Sequence, residues 1–195
     1  IEVVYNGIMI PEKTPEIRSS EVAQIAYIGR LSYEKGIDYF LQIVQRAIER
    51  DEKMGFHVFG EGRCHEQVEE VQKRYPNKLF YHGFVADVFQ KHEIDILVMP
   101  SRNEGLPFTA LNALAYGVPM IASNVGGLGE IINDGVNGIL CQVGDLDSYY
   151  TSILRLKNDV DLRRKMARNS RNLAQNKFNL RVMCDRYLQI LNISA

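Results

Sequence analysis

From Ala23 to Cys141 short apolar runs alternate with stretches of helical periodicity, and glycine or proline stands at many of the changes of period. Ala23–Ile28 reads as a strand. Ile37–Arg50 follows as a helix, with Ile37, Phe40, Leu41, Val44 and Ile48 on one face. Phe56–Phe59 and Arg63–Arg74 repeat the pair, and then come Leu79–Tyr81, a short helix Val85–Lys91 and the strand Ile94–Met99. Phe108–Tyr116 is helical, Met120–Ala122 a strand, Glu130–Asn133 a helical turn and Gly138–Cys141 a last strand. Strands separated by helices pair in parallel, so the expected fold is α/β: a Rossmann-like, doubly wound parallel sheet. From Leu146 the pattern is helical only, as Leu146–Leu156, Leu162–Gln175 and Leu180–Ile193, with Asn158-Asp159 and Asn176-Lys177 as weak breakers.

Three segments are expected: an arm or linker at 1–20, marked by Pro11, Pro15 and polar residues and lying outside the core; a nucleotide-binding α/β domain at 21–177; and a C-terminal helix at 178–195. Twenty-three basic side chains face twenty-four acidic ones, which argues against a nucleic-acid partner. No apolar run reaches the roughly eighteen residues a membrane span needs, and Ile1–Ile10 lacks the basic start of a secretory leader. Cys64, Cys141 and Cys184 are odd in number and far apart, and His57, His65, His82 and His92 show no ligand spacing. No metal or disulfide is therefore expected, and a cytoplasmic setting fits. Asn192-Ile-Ser194 matches a glycosylation triplet, a pattern common by chance.

A doubly wound sheet binds ligands beyond the carboxyl ends of its strands, and the loops there have unusual composition. Gly29-Arg30-Leu31-Ser32-Tyr33-Glu34-Lys35-Gly36 sets two cations beside glycines. An Arg fork and a Lys point charge suit a diphosphate, and a solvated basic loop explains them equally. Phe59-Gly60-Glu61-Gly62 is no dinucleotide fingerprint or Walker loop, and a tight turn accounts for it as well. In Pro100-Ser101-Arg102-Asn103-Glu104-Gly105-Leu106-Pro107-Phe108-Thr109, Pro107 fits the first helical turn. The amides of Leu106, Phe108 and Thr109 then point out of the helix start as an anion site. Glu104 either caps that helix or accepts hydrogen bonds from a polyol. Val125-Gly126-Gly127-Leu128-Gly129-Glu130 reads as a turn suited to close backbone approach.

Taken together, Gly29-Arg30-Leu31 with Glu34-Lys35-Gly36, Phe59-Gly60-Glu61-Gly62, Pro100-Ser101 with Glu104-Gly105-Leu106-Pro107, Ala115-Tyr116-Gly117-Val118-Pro119 and Val125-Gly126-Gly127 through Glu130-Ile131-Ile132 to Gly135 and Gly138 resemble the C-terminal, donor-binding domain of family 4 (GT-B) retaining glycosyltransferases. Tyr5-Asn6-Gly7-Ile8 resembles the stretch where that family's chain passes between its two domains. The resemblance implies the donor half of a two-domain enzyme, with the acceptor half absent and this half alone nearly inactive. It implies that Arg30 and Lys35 grip the diphosphate as leaving group and that Glu104, first acid of the family's Glu-x7-Glu motif, contacts the transferred sugar. Gly105, Leu106 and Pro107 are then the backbone against the sugar and phosphates. Gly29, Ser101, Phe108 and Thr109 belong to the same pocket, with Thr109 and the helix amides at the distal phosphate, and Gly83 and Phe84 lie in the loop lining the base pocket. The donor is expected to be UDP- or GDP-linked, with no cofactor or metal, and the acceptor a glycan or lipid-linked molecule.

One position departs from the family pattern. Its second acid, which holds the ribose hydroxyls, falls at Asn112. Charged hydrogen bonds contribute about 1.5–3 kcal/mol against about 0.5–1.5 for neutral ones, so nucleotide binding about tenfold weaker is expected. A nucleotide-sugar-binding accessory domain without catalysis is the competing reading, with a GT-B-type epimerase or phosphorylase behind it. Arg155, Lys157, Arg163, Arg164, Lys165, Arg168 and Arg171 give the tail a basic character that suits peripheral contact with the inner membrane face, or simply a solvated helix face. The apolar positions of Leu180–Ile193 are expected either to stay partly exposed for an N-terminal domain or to pack on their own domain.

Overall fold

The computed structural model describes residues 2–12, 22–50 and 53–192. The stretch 13–20 of the expected arm, and Ile193 and Ser194 at the end of the chain, lie outside them. Six strands form one parallel sheet: β1 (Ala23–Ile28), β2 (Met54–Phe59), β3 (Leu79–Tyr81), β4 (Ile96–Met99), β5 (Met120–Ser123) and β6 (Gly138–Cys141). Their order is β3-β2-β1-β4-β5-β6. The winding reverses between β1 and β4, which opens a crevice at their carboxyl ends. The helices are α1 (Ile37–Glu49), α2 (His65–Arg74), α3 (Val88–Lys91), α4 (Phe108–Tyr116), α5 (Leu128–Ile131), α6 (Leu146–Asn158), α7 (Val160–Lys177) and α8 (Leu180–Ile190).

Every residue of β4 is buried, as a central parallel strand covered on both faces requires. Its side chains alternate between two cores. Ile96 and Val98 join Ile25, Phe40, Phe56 and Tyr149 on the face of α1 and α6. Leu97 and Met99 join Leu111, Leu114, Met120 and Phe178 on the face of α4 and α7. Tyr149 and Tyr150 are core residues.

Several boundaries move from their expected positions, each for a local reason. β2 begins at Met54 because Gly55 pairs with Gln24, and a Cβ there would lie 2.5 Å from the Gln24 amide oxygen. α3 starts only at Val88 because Asp87 is left-handed (φ 56°), a conformation no helix interior accepts. The helical turn expected at Glu130–Asn133 lies two residues earlier, as α5.

Two expectations are corrected by burial. Ile8, in the arm read as lying outside the core, is buried: its N–H donates to the Phe178 carbonyl and its carbonyl accepts from Leu180 N–H, both at 2.8 Å. Arg163, read as part of the basic tail surface, is also buried. It donates to the Leu156 and Lys157 carbonyls at the end of α6, while Asp159 caps the start of α7 by accepting from Leu162 N–H. α8 has no buried residue, and Val182, Tyr187 and Ile190 on it are exposed. Among the described residues no helix is long and apolar enough to cross a membrane.

Candidate functional site

The loop after β1 is built on the loop after β2. Gly29 N–H donates to the Phe59 carbonyl, Leu31 N–H to the Glu61 carbonyl and Cys64 N–H to the Leu31 carbonyl. A Cβ on Gly60 would lie 2.0 Å from the Gly29 carbonyl oxygen. Phe59-Gly60-Glu61-Gly62 is thus the bed on which the Gly29–Leu31 backbone lies. The Tyr27 hydroxyl donates to the Arg30 carbonyl at 2.7 Å. Burial first, and then the nearby Glu104 carboxylate, hold the Tyr27 phenol far above its ordinary range, so it remains a donor. Arg30 is exposed and makes no ion pair among the described residues.

Ser32 opens a single 3₁₀ turn, Tyr33–Lys35, closed by left-handed Gly36. A Cβ on Gly36 would lie 2.0 Å from the Pro100 carbonyl oxygen, so the loops after β1 and β4 meet backbone to backbone. The contact brings Lys35 Nζ to 2.8 Å from Glu104 Oε2, while Glu104 Oε1 accepts from Ser101 Oγ at 2.7 Å. Glu104 is buried with both oxygens engaged. The helix-cap reading of this residue is therefore overturned: α4 has no side-chain cap. Pro107 is the N-cap itself, with extended backbone (φ −73°, ψ 128°), and not a residue of the first turn. Its carbonyl accepts from Ala110 and Leu111 N–H, which leaves the leading amides of Phe108 and Thr109 without intrahelical acceptors.

Arg102 locks the arrangement from behind. Its guanidinium makes two 2.8 Å bonds to the Asp38 carboxylate and lies 3.8 Å above the Tyr39 ring, and its N–H donates to the Glu34 carbonyl. The Asp38 partner raises the guanidinium pKa further, so the charge is permanent. The turn at Val125–Glu130 does accept close backbone approach, but from the protein itself. A Cβ on Gly126 would lie 1.7 Å from the Glu104 carbonyl oxygen, and Gly127 N–H donates to the Gly105 carbonyl.

Gly29, Arg30, Lys35, Ser101, Glu104, Pro107 and Thr109 line one cleft of about 260 Å³ at the carboxyl ends of β1 and β4. Asn112 lies outside it, one turn along α4, in an adjoining cavity of about 480 Å³ that shares Ile28 and Thr109 with the cleft. Gly105, Leu106 and Phe108 follow the loop without lining either space. Gly83 and Phe84 line neither, and Phe84 is 73% exposed; Val85 is the residue of that loop that faces the larger cavity. Asp38, Tyr39 and Arg102 give no site signal in the sequence, because the contacts that join them lie more than sixty residues apart, and Tyr27 gives none because it reads as a core residue of β1. Among the described residues no cluster of His, Cys, Asp and Glu is placed to hold a metal ion.

A family model described as glycosyl transferases group 1 matches residues 23–159. An uncharacterized glycosyltransferase of Methanocaldococcus jannaschii is 30% identical over 197 residues, covering 92% of this chain and 50% of the relative. The UDP-Gal:alpha-D-GlcNAc-diphosphoundecaprenol alpha-1,3-galactosyltransferase of Escherichia coli is 25% identical over 197 residues, covering 92% of this chain and 51% of the relative. The crystal structure of Anabaena HepE in complex with UDP-glucose matches with a TM-score of 0.85 at 20% identity, covering 98% of this chain and 57% of that one. The chain spans about half the length of the curated relatives it matches.

Proposed function

The chain belongs to the glycosyl transferases group 1 family, and we propose that it is the donor-binding half of a retaining enzyme that moves a sugar from a nucleotide diphosphate to a glycan or lipid-linked acceptor. Its six-stranded parallel sheet with flanking helices is that of the GT-B glycosyltransferases. The observation that carries the proposal is the convergence of Arg30, Lys35, Glu104 and Thr109 on one cleft beside the orphan amides of α4. Two cations and a helix start attract a diphosphate, and a buried carboxylate at the same cleft offers an acceptor for sugar hydroxyls. The relative from Escherichia coli is named for a UDP-sugar donor and a lipid diphosphate acceptor, and the HepE structure holds UDP-glucose. Both support this reading.

In the proposed reaction the bond between the sugar's anomeric carbon and the diphosphate oxygen breaks, the acceptor's hydroxyl oxygen bonds to that carbon on the same face, and the hydroxyl proton passes to the departing diphosphate oxygen. Arg30 and Lys35 stabilise the negative charge that develops on the leaving diphosphate, which is neutralisation by side chains and calls for no resident cation. Glu104, fixed by Lys35 and Ser101, orients the sugar, and the backbone of Gly105–Pro107 borders it. Asn112 holds the ribose hydroxyls with neutral hydrogen bonds in place of charged ones. The acceptor and its chemistry belong to the other half, so this half alone turns over almost no substrate. Its setting is the cytoplasm, at the inner face of the membrane where the acceptor is lipid-linked. In domain terms, 21–177 is the nucleotide-sugar domain, and the exposed apolar residues of α8 are covered by the other half.

Asn112 also favours a second reading, a nucleotide-sugar-binding domain that no longer transfers sugar. A thermal-shift panel with UDP, GDP, ADP, dTDP and their sugar conjugates tests the shared core of both. Ligand at one hundred times its dissociation constant adds about 2.7 kcal/mol, a rise of roughly 5–10 °C in melting point for a domain this size. One nucleotide standing out supports donor binding, and a flat panel at millimolar ligand on the full-length protein overturns it. Product analysis with that protein then separates transfer from binding alone and from epimerisation.

A further inference from the structure

The cavity beside the cleft has a wall that the α/β domain does not supply. Ile8, Met9, Ile10 and Pro11 of the N-terminal arm close one side of it, opposite Val88 and Phe89 of α3. The space grades in chemistry along its length. It begins at the cations Arg30 and Lys35, passes Thr109 and Asn112, and ends among the apolar side chains of the arm with Val88 and Phe89, where Asp87 and Gln90 add polar groups. A ligand that fits this order carries an anionic group, then hydroxyls, then a flat ring with apolar faces and a polar edge, and a nucleoside diphosphate has that sequence of parts. At about 480 Å³ the cavity is of the size that small ligands occupy.

The arm is held on both sides of the residues that face the cavity. Before them, Ile8 bonds through its backbone to Phe178 and Leu180, and Gly7 lies so close to α8 that a Cβ there would meet Leu180 Cα at 2.6 Å. After them, Arg171 Nη2 donates to the Pro11 carbonyl at 2.8 Å. Between these anchors Met9 is 79% exposed at the cavity wall, a flexible apolar side chain on a fixed backbone.

We infer that the N-terminal arm is a wall of the nucleoside pocket and that Met9 and Ile10 contact the nucleoside. The inference rests on the reading of the cleft as a nucleotide-sugar site and adds residues outside the α/β domain to it.

The test compares UDP with inorganic pyrophosphate by calorimetry on the full-length protein and on its Met9→Ala and Ile10→Ala variants. The two ligands share the anionic group, and only UDP has a nucleoside. The expected result is a UDP dissociation constant raised about three- to tenfold in each variant, with that for pyrophosphate unchanged. Unchanged UDP binding in both variants overturns the inference and leaves the reading of the cleft standing. Equal weakening of both ligands overturns it too, because the arm would then act on the whole site and not on the nucleoside. If the wild-type protein binds neither ligand, the reading of the cleft itself fails and the inference falls with it.

Discussion

Lys35 Nζ and Glu104 Oε2 stand 2.8 Å apart although 69 residues separate them in the chain. The pair joins the loop after β1 to the loop after β4 across the crevice where the sheet reverses its winding. Glu104 is almost fully enclosed, with a side chain only 5% exposed, whereas Lys35 keeps 24% of its side chain in solvent. The carboxylate therefore depends on the ammonium more than the ammonium depends on it.

Replacing Lys35 by Met removes the one cation that, among the described residues, bonds to this enclosed carboxylate and leaves it the Ser101 hydroxyl. Urea denaturation at neutral pH is expected to show a loss of about 1–3 kcal/mol. Adding Glu104→Gln in the same chain removes the unpaired charge and should recover part of that loss. A double variant less stable than Lys35→Met alone would mean that the carboxylate is not what suffers.

Arg102 is expected to matter at the site without touching the cleft. Its two bonds to Asp38 and its stacking on Tyr39 hold the loop that carries Glu104 against the first turn of α1, and its backbone N–H holds the loop to the Glu34 carbonyl in the turn that carries Lys35. Arg102→Ala should lower stability by about 1.5–3 kcal/mol and weaken nucleotide binding in calorimetry. Arg102→Lys should recover little of either, because an ammonium cannot make the paired bonds or lie flat on the ring. Full recovery in the Lys variant would reduce the contact to simple charge pairing.

Pairings such as Arg102 with Asp38 mark where the sequence stops being readable. Their charges are visible in the chain, but nothing in spacing or periodicity selects one acid over another 64 residues away. Elements governed by local physics were legible to the residue. Ala23–Ile28 is bounded by its apolar run, and Phe108–Tyr116 ends at Gly117, which is left-handed at the helix C-cap. The start of β2 was hidden because Gly55 carries no strand signal, and α3 was overextended because the left-handed Asp87 gives no warning in sequence. Loop composition at the strand ends draws attention to Arg30, Lys35, Glu104 and Thr109 but leaves a solvated loop or a helix cap equally open, and only the family resemblance gives them roles and adds Gly29 and Ser101. The arm was missed as a wall because Ile8 owes its burial to Phe178 and Leu180 at the other end of the chain.

The packed rings of His57, His82 and His92 predict an acid-sensitive fold. Gln24 Nε2 donates to the Val22 carbonyl, which turns its oxygen toward His57 Nε2 at 2.7 Å. His57 Nδ1 is then the acceptor for His82 Nε2–H at 3.0 Å, which requires the His57 ring to be neutral. Burial, followed by His82 and then His92, pushes His57 down to about 4; burial and His92 lower His82 as well. In the unfolded chain these rings take up a proton near pH 6.5. Stability is therefore full above about pH 6.5 and is lost as the pH falls toward 4, by roughly 1–2 kcal/mol once solvent screening of partly exposed rings is allowed for. Asp95, whose carboxyl is raised by burial, works in the opposite sense at the acid end. Denaturation curves from pH 7.5 to 4.5 should show the decline, and His57→Gln should flatten it. An equally steep decline in that variant would place the sensitivity elsewhere.

Asn112→Glu should tighten nucleotide binding about tenfold, since a carboxylate replaces neutral with charged hydrogen bonds to the ribose. The gain should appear with UDP and vanish with inorganic pyrophosphate. No change, or a loss with UDP, would remove Asn112 from the nucleotide site.

Two glycines, one packed on the Glu104 loop and one within it, separate folding from binding. Gly126 has φ +50°, and a Cβ there would lie 1.7 Å from the Glu104 carbonyl oxygen. Gly126→Ala is therefore expected to cost about 2 kcal/mol or more in urea denaturation, whatever it does to ligands. Gly105 is the opposite case: a Cβ there meets nothing within 4 Å. Gly105→Ala should leave stability within about 0.5 kcal/mol of wild type. If its backbone borders the sugar, the added methyl occupies space that only the sugar needs, so UDP should bind as before and UDP-sugar conjugates more weakly. Equal affinities of the variant and the wild type for the conjugates would move the sugar away from Gly105, with the folding data already excluding a damaged loop as the reason.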